Sequence, residues 1–268
     1  MVPPNTPMSQ AAPGAKSDIK AGEKIFVAAR NEGGKLVAWE NRCPHYDGPV
    51  CQGKIYNRVE EVLDEAAFTA LGLEADKLAL LVHSGSRGLG EEVLREHTDV
   101  RGAAGLVEGS PEFVHYKHRH DLAQRWAVCN RATIAGRFLG AIGGEGKRVL
   151  DVCHNNVVPE QVQGCACWVH RKGAAPANLG PVVVPGSRGA LSYLVVPEGD
   201  GVKNLRSLAH GAGRKYTRQD AKSRMKARYT ASELEQTELG SAVICEDRDL
   251  LFEEAPEAYK RIDSVVGD

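Results

Sequence analysis

Five short segments rich in histidine, serine, arginine and glycine constrain this chain more than any other feature of its sequence. These motif segments are HSGSRGLG (83–90), CHNN (153–156), HRKGAA (170–175), PGSRGALSY (185–193) and HGAGR (210–214). Short apolar runs typical of strands precede most of them. Strands that end in such loops are how a layered α/β core presents a site. The sequence therefore predicts an α/β fold whose loops carry the chemistry.

The composition of the motif segments favours an anionic ligand. Four of the five contain glycines, which expose backbone N–H groups that can bind phosphate oxygens. The arginines can bind phosphate with two parallel hydrogen bonds. One glycine-rich segment could be an ordinary tight turn. Five motif segments, four with glycine and three beginning with histidine, are hard to explain as turns alone.

The charge distribution supports the same interpretation. The net charge of −1 conceals nine Lys or Arg against one acid in 203–228, and eleven acids against three bases in 230–268. Such blocks often lie on solvated faces. A basic block that also holds Gly, Ser and His can approach phosphates closely.

Cysteine content and hydropathy indicate a cytoplasmic protein. The seven cysteines show no regular pairing, which fits a reducing compartment better than a disulfide scaffold. The longest apolar runs, such as 78–82, are too short to cross a bilayer, so no membrane partner is expected. The N-terminus lacks the charged start and apolar stretch of a secretion signal.

Three regions are expected along the chain. Residues 1–16 are rich in Pro, Ala, Gly and Ser and predict a flexible tail. Residues 17–57 form a small β-rich segment, in which 24–29 and 35–40 flank a hairpin turn at 31–34. Residues 58–268 form the main domain.

The main domain should mix helices and strands. A helix is predicted to end at Gly72, and a second, long helix over 111–140 should turn Leu122, Trp126 and Cys129 inward. The predicted strands are 78–82, 149–153, 182–184 and 191–196.

The five motif segments resemble those of the RtcB family of RNA ligases, in family order, and the resemblance runs from about Val59 to Asp268. It implies a truncated RtcB-like layered α/β core. The implied activity joins an RNA 3′-phosphate or 2′,3′-cyclic phosphate to a 5′-hydroxyl, with GTP and manganese as cofactors. Its substrates would be RNA ends of tRNA or damaged RNA. The ending CEDRDLLFEEAPEAYKRI (245–262) looks like the branch coupled to release factor H, which implies a release-factor-like partner.

The resemblance also implies roles for single residues. His210 matches the histidine that is guanylylated before GMP passes to the RNA 3′-phosphate, and neutral imidazole is nucleophilic near pH 7. His83 and His154 match histidines that bind metal, and Mn²⁺ accepts mixed nitrogen and oxygen ligands.

Two further groups of residues are carried over by the same resemblance. Ser192 is expected to bond the guanine edge. The segments that match GMP contacts comprise His154, Asn155, Pro185, Gly186, Ser187, Arg188, Ser192, His210, Gly211, Ala212 and Gly213. Phosphate or RNA contacts are expected of Arg87, Arg171, Lys172 and Arg214.

The sequence also departs from the family pattern. The family has an early DVGCGM-like loop and a GGGNH-like loop that bind metal or nucleotide, and neither is found here. The chain ends at Asp268, before the family's final guanine-contacting lysine, and Arg188 stands where methionine is usual. Weak manganese binding is therefore expected. The alternative function is a non-catalytic nucleotide- or RNA-binding remnant.

Residues 20–57 carry a second resemblance, to the first half of a Rieske iron–sulfur domain. ENRCPHYDGPVCQGKIY (40–56) contains the Cys43-Pro-His45 loop, but a Rieske cluster needs two Cys and two His. The only later C-x-x-H is 167–170, inside another motif segment. A Rieske-like electron carrier is therefore the third hypothesis, without an expected working cluster.

Overall fold

The structure, a computed structural model, describes residues 59–162, 164–245 and 247–266 in full. Nearer the N-terminus it describes the backbone of four short strands. The chain divides into two units, 1–149 and 150–268.

The N-terminal unit begins with a three-stranded antiparallel sheet in the order β1-β3-β2. Its strands are β1 (Ala12–Gly14), β2 (Ile25–Ala29) and β3 (Leu36–Glu40). The hairpin predicted from 24–29 and 35–40 is confirmed, because β2 pairs with β3. Strand β1 lies within the segment for which a tail is predicted. The Rieske-like residues Cys43, His45 and Cys51 lie outside the described residues.

Next come strand β4 (Gly53–Tyr56), helix α1 (Glu65–Ala70) and strand β5 (Ala79–Val82). β4 and β5 pair antiparallel, and the predicted strand at 78–82 is confirmed. Helix α1 begins at Glu65 because the Asp64 carboxylate accepts a hydrogen bond from the Ala67 N–H (2.9 Å) and so caps the helix there.

Two longer helices complete this unit, α2 (Gly88–Arg101) and α3 (Pro111–Ile142). The predicted long helix is confirmed as α3, and local signals set its ends. The Ser110 hydroxyl accepts from the Phe113 N–H at 3.1 Å, Pro111 occupies the first turn, and Gly143 ends the helix with a φ of 64°.

The inward face predicted for α3 is wrong. Leu122 and Trp126 are 39% and 43% exposed, and Cys129 is exposed. The buried face consists of Ala123, Ala127, Ile134 and Phe138. The prediction placed the larger apolar side chains on the packed side of the helix. The packed side here is instead marked by small alanines, which let neighbouring elements approach a helix closely.

The C-terminal unit contains three antiparallel strand pairs, β6–β7, β8–β11 and β9–β10. The strands are β6 (Asn155–Val162), β7 (Cys165–Lys172), β8 (Ala174–Pro176), β9 (Val182–Val184), β10 (Tyr193–Val195) and β11 (Ser207–Ala209). The strand predicted at 182–184 is confirmed, and that at 191–196 is shorter. The strand predicted at 149–153 is wrong: these residues form a loop whose Val152 packs on the core, and β6 begins later.

Two hydrophobic clusters hold this unit together. The first cluster contains buried residues of β8 and β9, of the segment after β11 and of the segment before the last helix. These are Ala175, Val182, Val184, Ala212 and Ile262. The second joins α4 (Arg218–Lys226) to α5 (Arg248–Glu253) through Met225, Leu251, Phe252 and Ala255. Short helix α6 (Asp263–Val266) ends the described chain. With helices and small antiparallel sheets in both units, the predicted mixture of α and β structure is confirmed.

Within the residues that the structure describes, no helix is long and apolar enough to cross a membrane.

Candidate active site

Four of the five motif segments lie at strand ends of the C-terminal unit. CHNN leads into β6, and HRKGAA spans the corner between β7 and β8. PGSRGALSY connects β9 to β10, and HGAGR follows β11. Because β8 pairs with β11, the second and the fourth of these segments come together.

Two of the three motif histidines of this unit, His154 and His210, are in direct contact. The rings of His154 and His210 meet edge to face, with centroids 4.0 Å apart and an interplanar angle of 88°. The Nδ1 atom of each ring is buried. The structure thus brings together the predicted nucleophile and one of the two predicted metal ligands.

Gly173 packs against the His210 ring. It has a φ of +67°, and a Cβ atom added there would lie 3.5 Å from His210 Nε2. The Asn155 side-chain oxygen accepts a hydrogen bond from the Gly173 N–H (2.8 Å), and the His154 carbonyl accepts one from the Ala174 N–H (3.1 Å). The CHNN segment therefore holds this corner beside the histidine ring.

The PGSRGALSY segment folds back on itself next to HGAGR. The Gly186 N–H donates to the Ser192 hydroxyl at 3.0 Å. A Cβ atom on Gly186 would lie 1.9 Å from the Leu191 carbonyl oxygen, so only glycine fits there. A Cβ on Gly211 would lie 3.4 Å from the Pro185 carbonyl oxygen, which places the two segments side by side. The guanine contact of Ser192 stays a prediction.

The remaining residues predicted to contact GMP lie around this cluster. Ser187 and Arg188 continue the PGSRGALSY loop, and the Arg188 guanidinium donates to the Leu250 carbonyl at 3.2 Å. Ala212 is buried in the first hydrophobic cluster, and Gly213 has a φ of 74°.

Two arginines expected to contact phosphate or RNA are engaged inside the protein. Arg214 donates to the Glu254 carboxylate at 3.0 Å and to the Tyr259 hydroxyl at 2.8 Å. Arg171 is 3% exposed, and this burial rules out the RNA contact predicted for it.

The basic and the acidic blocks neutralise each other in part. Asp249 of α5 accepts from Lys222 at 2.6 Å and lies 2.7 Å from Lys226, both of α4. The hydrogen bonds from these two lysines lower the pKa of Asp249, and the bond to Asp249 raises the pKa of Lys222. Lys222 is therefore less available to RNA than its sequence position suggests.

His83 belongs to the N-terminal unit, where it follows β5. Its neighbour Ser84 is anchored on α3, because the Ser84 hydroxyl accepts from Asn130 (3.0 Å) and its carbonyl accepts from Arg131 (2.9 Å). His83 and His154 belong to different units, so a metal ion shared between them stays a prediction. Over the described part of the chain, no three His, Cys, Asp or Glu residues cluster as a metal site would require.

Known proteins identify the family. A sequence model described as "tRNA-splicing ligase RtcB" matches residues 56–268. The chain belongs to the RtcB family. RNA-splicing ligase RtcB2 of Escherichia coli is 48% identical over 209 residues, a match that covers 78% of this chain and 55% of that protein. RtcB homolog 1 of Entamoeba dispar and the tRNA-splicing ligase RtcB of Aeropyrum pernix are each 30% identical, over 78% of this chain and 46% and 51% of those proteins.

The chain thus spans about half the length of these curated RtcB relatives. Its first part is similar to another family, since a sequence model described as "Rieske [2Fe-2S] domain" matches residues 4–67. Both resemblances inferred from the sequence are therefore confirmed as similarities.

Sequence reasoning missed the importance of one residue beside His210. Gly173 lies against the ring of the predicted nucleophile, since a Cβ atom added there would be 3.5 Å from His210 Nε2. Its only signal was its place in the HRKGAA segment, where an ordinary turn would also use a glycine.

Proposed function

We propose that this chain carries out the chemistry of an RNA ligase, joining an RNA 3′-phosphate or 2′,3′-cyclic phosphate to a 5′-hydroxyl through a guanylylated His210. Membership of the RtcB family supports the reaction class. The observation that carries the proposal is the contact of the His210 ring with the His154 ring, at a corner where four motif segments meet.

Nε2 of His210 is the nitrogen proposed to react with GTP. Nδ1 is buried, so a phosphate cannot reach it from outside. The neutral tautomer with its hydrogen on Nδ1 leaves a lone pair on Nε2. In the proposed step Nε2 bonds to the α-phosphorus of GTP, the bond from that phosphorus to pyrophosphate breaks, and pyrophosphate leaves. Gly173 leaves space beside Nε2, since a side chain there would occupy it.

Residues around His210 are proposed to bind GMP. The backbone of 211–213 would hold the α-phosphate, as glycine-rich turns do. Ser192 would bond the guanine edge, and its segment would form the wall of the nucleotide site. The full proposed set is His154, Asn155, Pro185, Gly186, Ser187, Arg188, Ser192, His210, Gly211, Ala212 and Gly213.

Manganese is proposed as a metal cofactor that would neutralise the leaving pyrophosphate. His83 and His154 would be two of its ligands. The described residues contain no group of three ligands, so they do not form a manganese site on their own. We therefore expect weak affinity for Mn²⁺, and no step above depends on the metal.

The experiment is incubation of the full chain with GTP labelled at its α-phosphate, with and without Mn²⁺. We expect a weak GMP adduct that is labile to acid, as a phosphoramidate is, and that is lost in H210A. H170A is the matched control, because His170 is an exposed histidine on β7 and should leave labelling unchanged. Label that survives in H210A would show that another residue is the nucleophile.

The second candidate is a non-catalytic nucleotide- or RNA-binding protein, favoured by the lack of a three-ligand group among the described residues. GTP that binds in calorimetry without forming any adduct would support it. The third candidate is an electron carrier, which rests on the Rieske match alone. An iron–sulfur cluster would give the purified protein a brown colour.

The substrates, partner, cellular setting and domain division of this chain are also part of the proposal. RNA ends of tRNA or damaged RNA are the proposed substrates, with a functional link to a release-factor-like protein. A reducing, cytoplasmic setting is supported by the thiols of Cys129, Cys165, Cys167 and Cys245. We propose 1–16 as a tail, 17–57 as a Rieske-like segment and 58–268 as the ligase domain. The boundary near 57 is supported by the start of the RtcB match at residue 56.

A further inference from the structure

The chain that leads into His210 passes through an unfavourable backbone conformation. Leu205 and Arg206 have φ values of 53° and 51°, although neither is glycine. Side chains that carry a Cβ atom adopt this left-handed region at a cost, so surrounding contacts must hold these residues in place. Strand β11 begins at the next residue, Ser207, and His210 follows it directly.

Arg171 of β7 is the side chain that holds this segment. Its Nε donates to the Ser207 hydroxyl at 2.9 Å, and its Nη2 donates to the Leu205 carbonyl at 3.2 Å. The Ser207 hydroxyl in turn donates to the Leu205 carbonyl at 3.0 Å. The side chain is 1% exposed, so water does not compete for these bonds.

Glu160 of β6 balances the buried charge. Its carboxylate lies 3.0 Å from Arg171 Nη2 and 3.4 Å from Arg206 Nη1, and its side chain is 8% exposed. Burial alone would raise the pKa of Glu160, but hydrogen bonds from Arg171 and Asn178 and the two nearby positive charges lower it. The carboxylate is therefore charged at neutral pH and ties β6 to the segment before β11.

Arg171 is connected to the surroundings of the His210 ring by two routes. Through the backbone it lies two residues before Gly173, which packs against that ring. Through its side chain it fixes the residues from which β11 runs to His210. The pairing of Ala209 with Ala174 joins these two paths immediately beside the ring.

We infer that Arg171 is a positioning residue, which sets the orientation of the His210 imidazole without touching the nucleotide. The inference rests on the proposed role of His210 as the nucleophile. The planar fork of arginine serves two acceptors on the 205–207 segment and a carboxylate at once. A lysine ammonium could not reproduce this geometry, so R171K should behave like R171M and not like the native protein.

The test uses the full chain labelled with ¹⁵N-histidine, and the readout is the Nδ1 and Nε2 chemical shifts of His210 at one fixed pH. The His210 signals are assigned by their loss in H210A. V169A is the matched control, because Val169 is a buried residue of the same strand, 6% exposed, and lies outside the Arg171 contacts. All spectra are taken well below the melting temperature of each variant.

We expect R171M and R171K to shift or broaden the His210 signals, while V169A leaves them in place. GMP labelling should fall by about ten- to a hundredfold in both arginine variants, the effect of a small misplacement of a reacting group. If R171M does not fold, the double variant R171M/E160Q removes both buried charges together and takes its place.

The outcomes separate this inference from the proposed function. His210 signals in folded R171M and R171K that match those of V169A would overturn the positioning role. If those signals move but the native chain forms no GMP adduct, the positioning role stands and the proposed ligase chemistry fails.

Discussion

Two ionic clusters of the C-terminal unit have the same make-up and different surroundings. The buried ionic cluster joins Glu160 to Arg171 and Arg206, and the exposed ionic cluster joins Asp249 to Lys222 and Lys226. Each has two bases around one acid. The acid is 8% exposed in the first and 42% exposed in the second.

The difference in exposure decides what each cluster can do. In the buried ionic cluster, charges taken out of water need partners with good geometry, and the cluster finds some of them in backbone carbonyls. It thereby fixes the path of the chain. Water and salt screen the exposed ionic cluster, which can be broken with little effect on the fold. Two clusters of the same charges thus serve positioning in one place and solvation in the other.

The largest expected effect is on stability. E160Q should lower the free energy of unfolding by about 3 kcal/mol at pH 7, because it leaves a buried arginine charge without its carboxylate. The folded-state pKa of Glu160 is lowered, so its contribution is present above the unfolded value of about 4.3 and is lost as pH falls through the folded-state pKa. The difference between the two proteins in urea melts should therefore shrink as the pH is lowered from 7 into the acid range.

D249N is the control for that comparison. It makes the same kind of change in the exposed ionic cluster and should shift the urea midpoint at pH 7 far less than E160Q does. Equal losses from the two variants would mean that burial does not distinguish the clusters.

A smaller effect is expected on GMP labelling from a change at Gly173, which lies beside His210. G173A should reduce GMP labelling by about tenfold, because the added methyl group would fill the space beside Nε2 that a phosphate must enter. G164A is the matched control for G173A. Gly164 has a φ of +79°, so alanine is strained there as well, but its Cβ would meet nothing within 4 Å.

Both variants should lose similar stability in thermal melts, of about 1–2 kcal/mol. Only G173A should lose labelling. A parallel loss of labelling in G164A would assign the effect to stability rather than to the space beside the imidazole.

The smallest effect concerns the exposed ionic cluster and RNA. D249N should release Lys222 and Lys226 and raise affinity for a short RNA about two- to fivefold at low salt, with a steeper dependence on salt. E233Q removes the same charge from an acid that accepts its hydrogen bonds from Thr230, and should change the affinity less. Filter binding across a salt series measures both variants. Identical curves for D249N and the native protein would show that the basic block takes no part in RNA binding.

Local signals allowed several elements to be predicted. The hairpin of β2 and β3 follows from turn residues between two β-type runs, and α3 follows from Ser110, Pro111 and Gly143 at its ends. The strand expected at 149–153 failed because an apolar run becomes a strand only when another strand pairs with it. That run packs on the core as a loop instead.

The sequence by itself determined to which family its motif segments belong, because family membership depends on residue types at fixed spacings. It named His154 and His210, and the structure places their rings in contact. Only the tertiary structure decided that Arg171 is buried and that Gly173 lies against His210. Gly173 and His210 are distant along the chain, and the pairing of β8 with β11 brings them together. The burial of a residue and its neighbours in space depend on such long-range pairings. The presence of an arginine or a glycine in a sequence motif does not show which strands will pair.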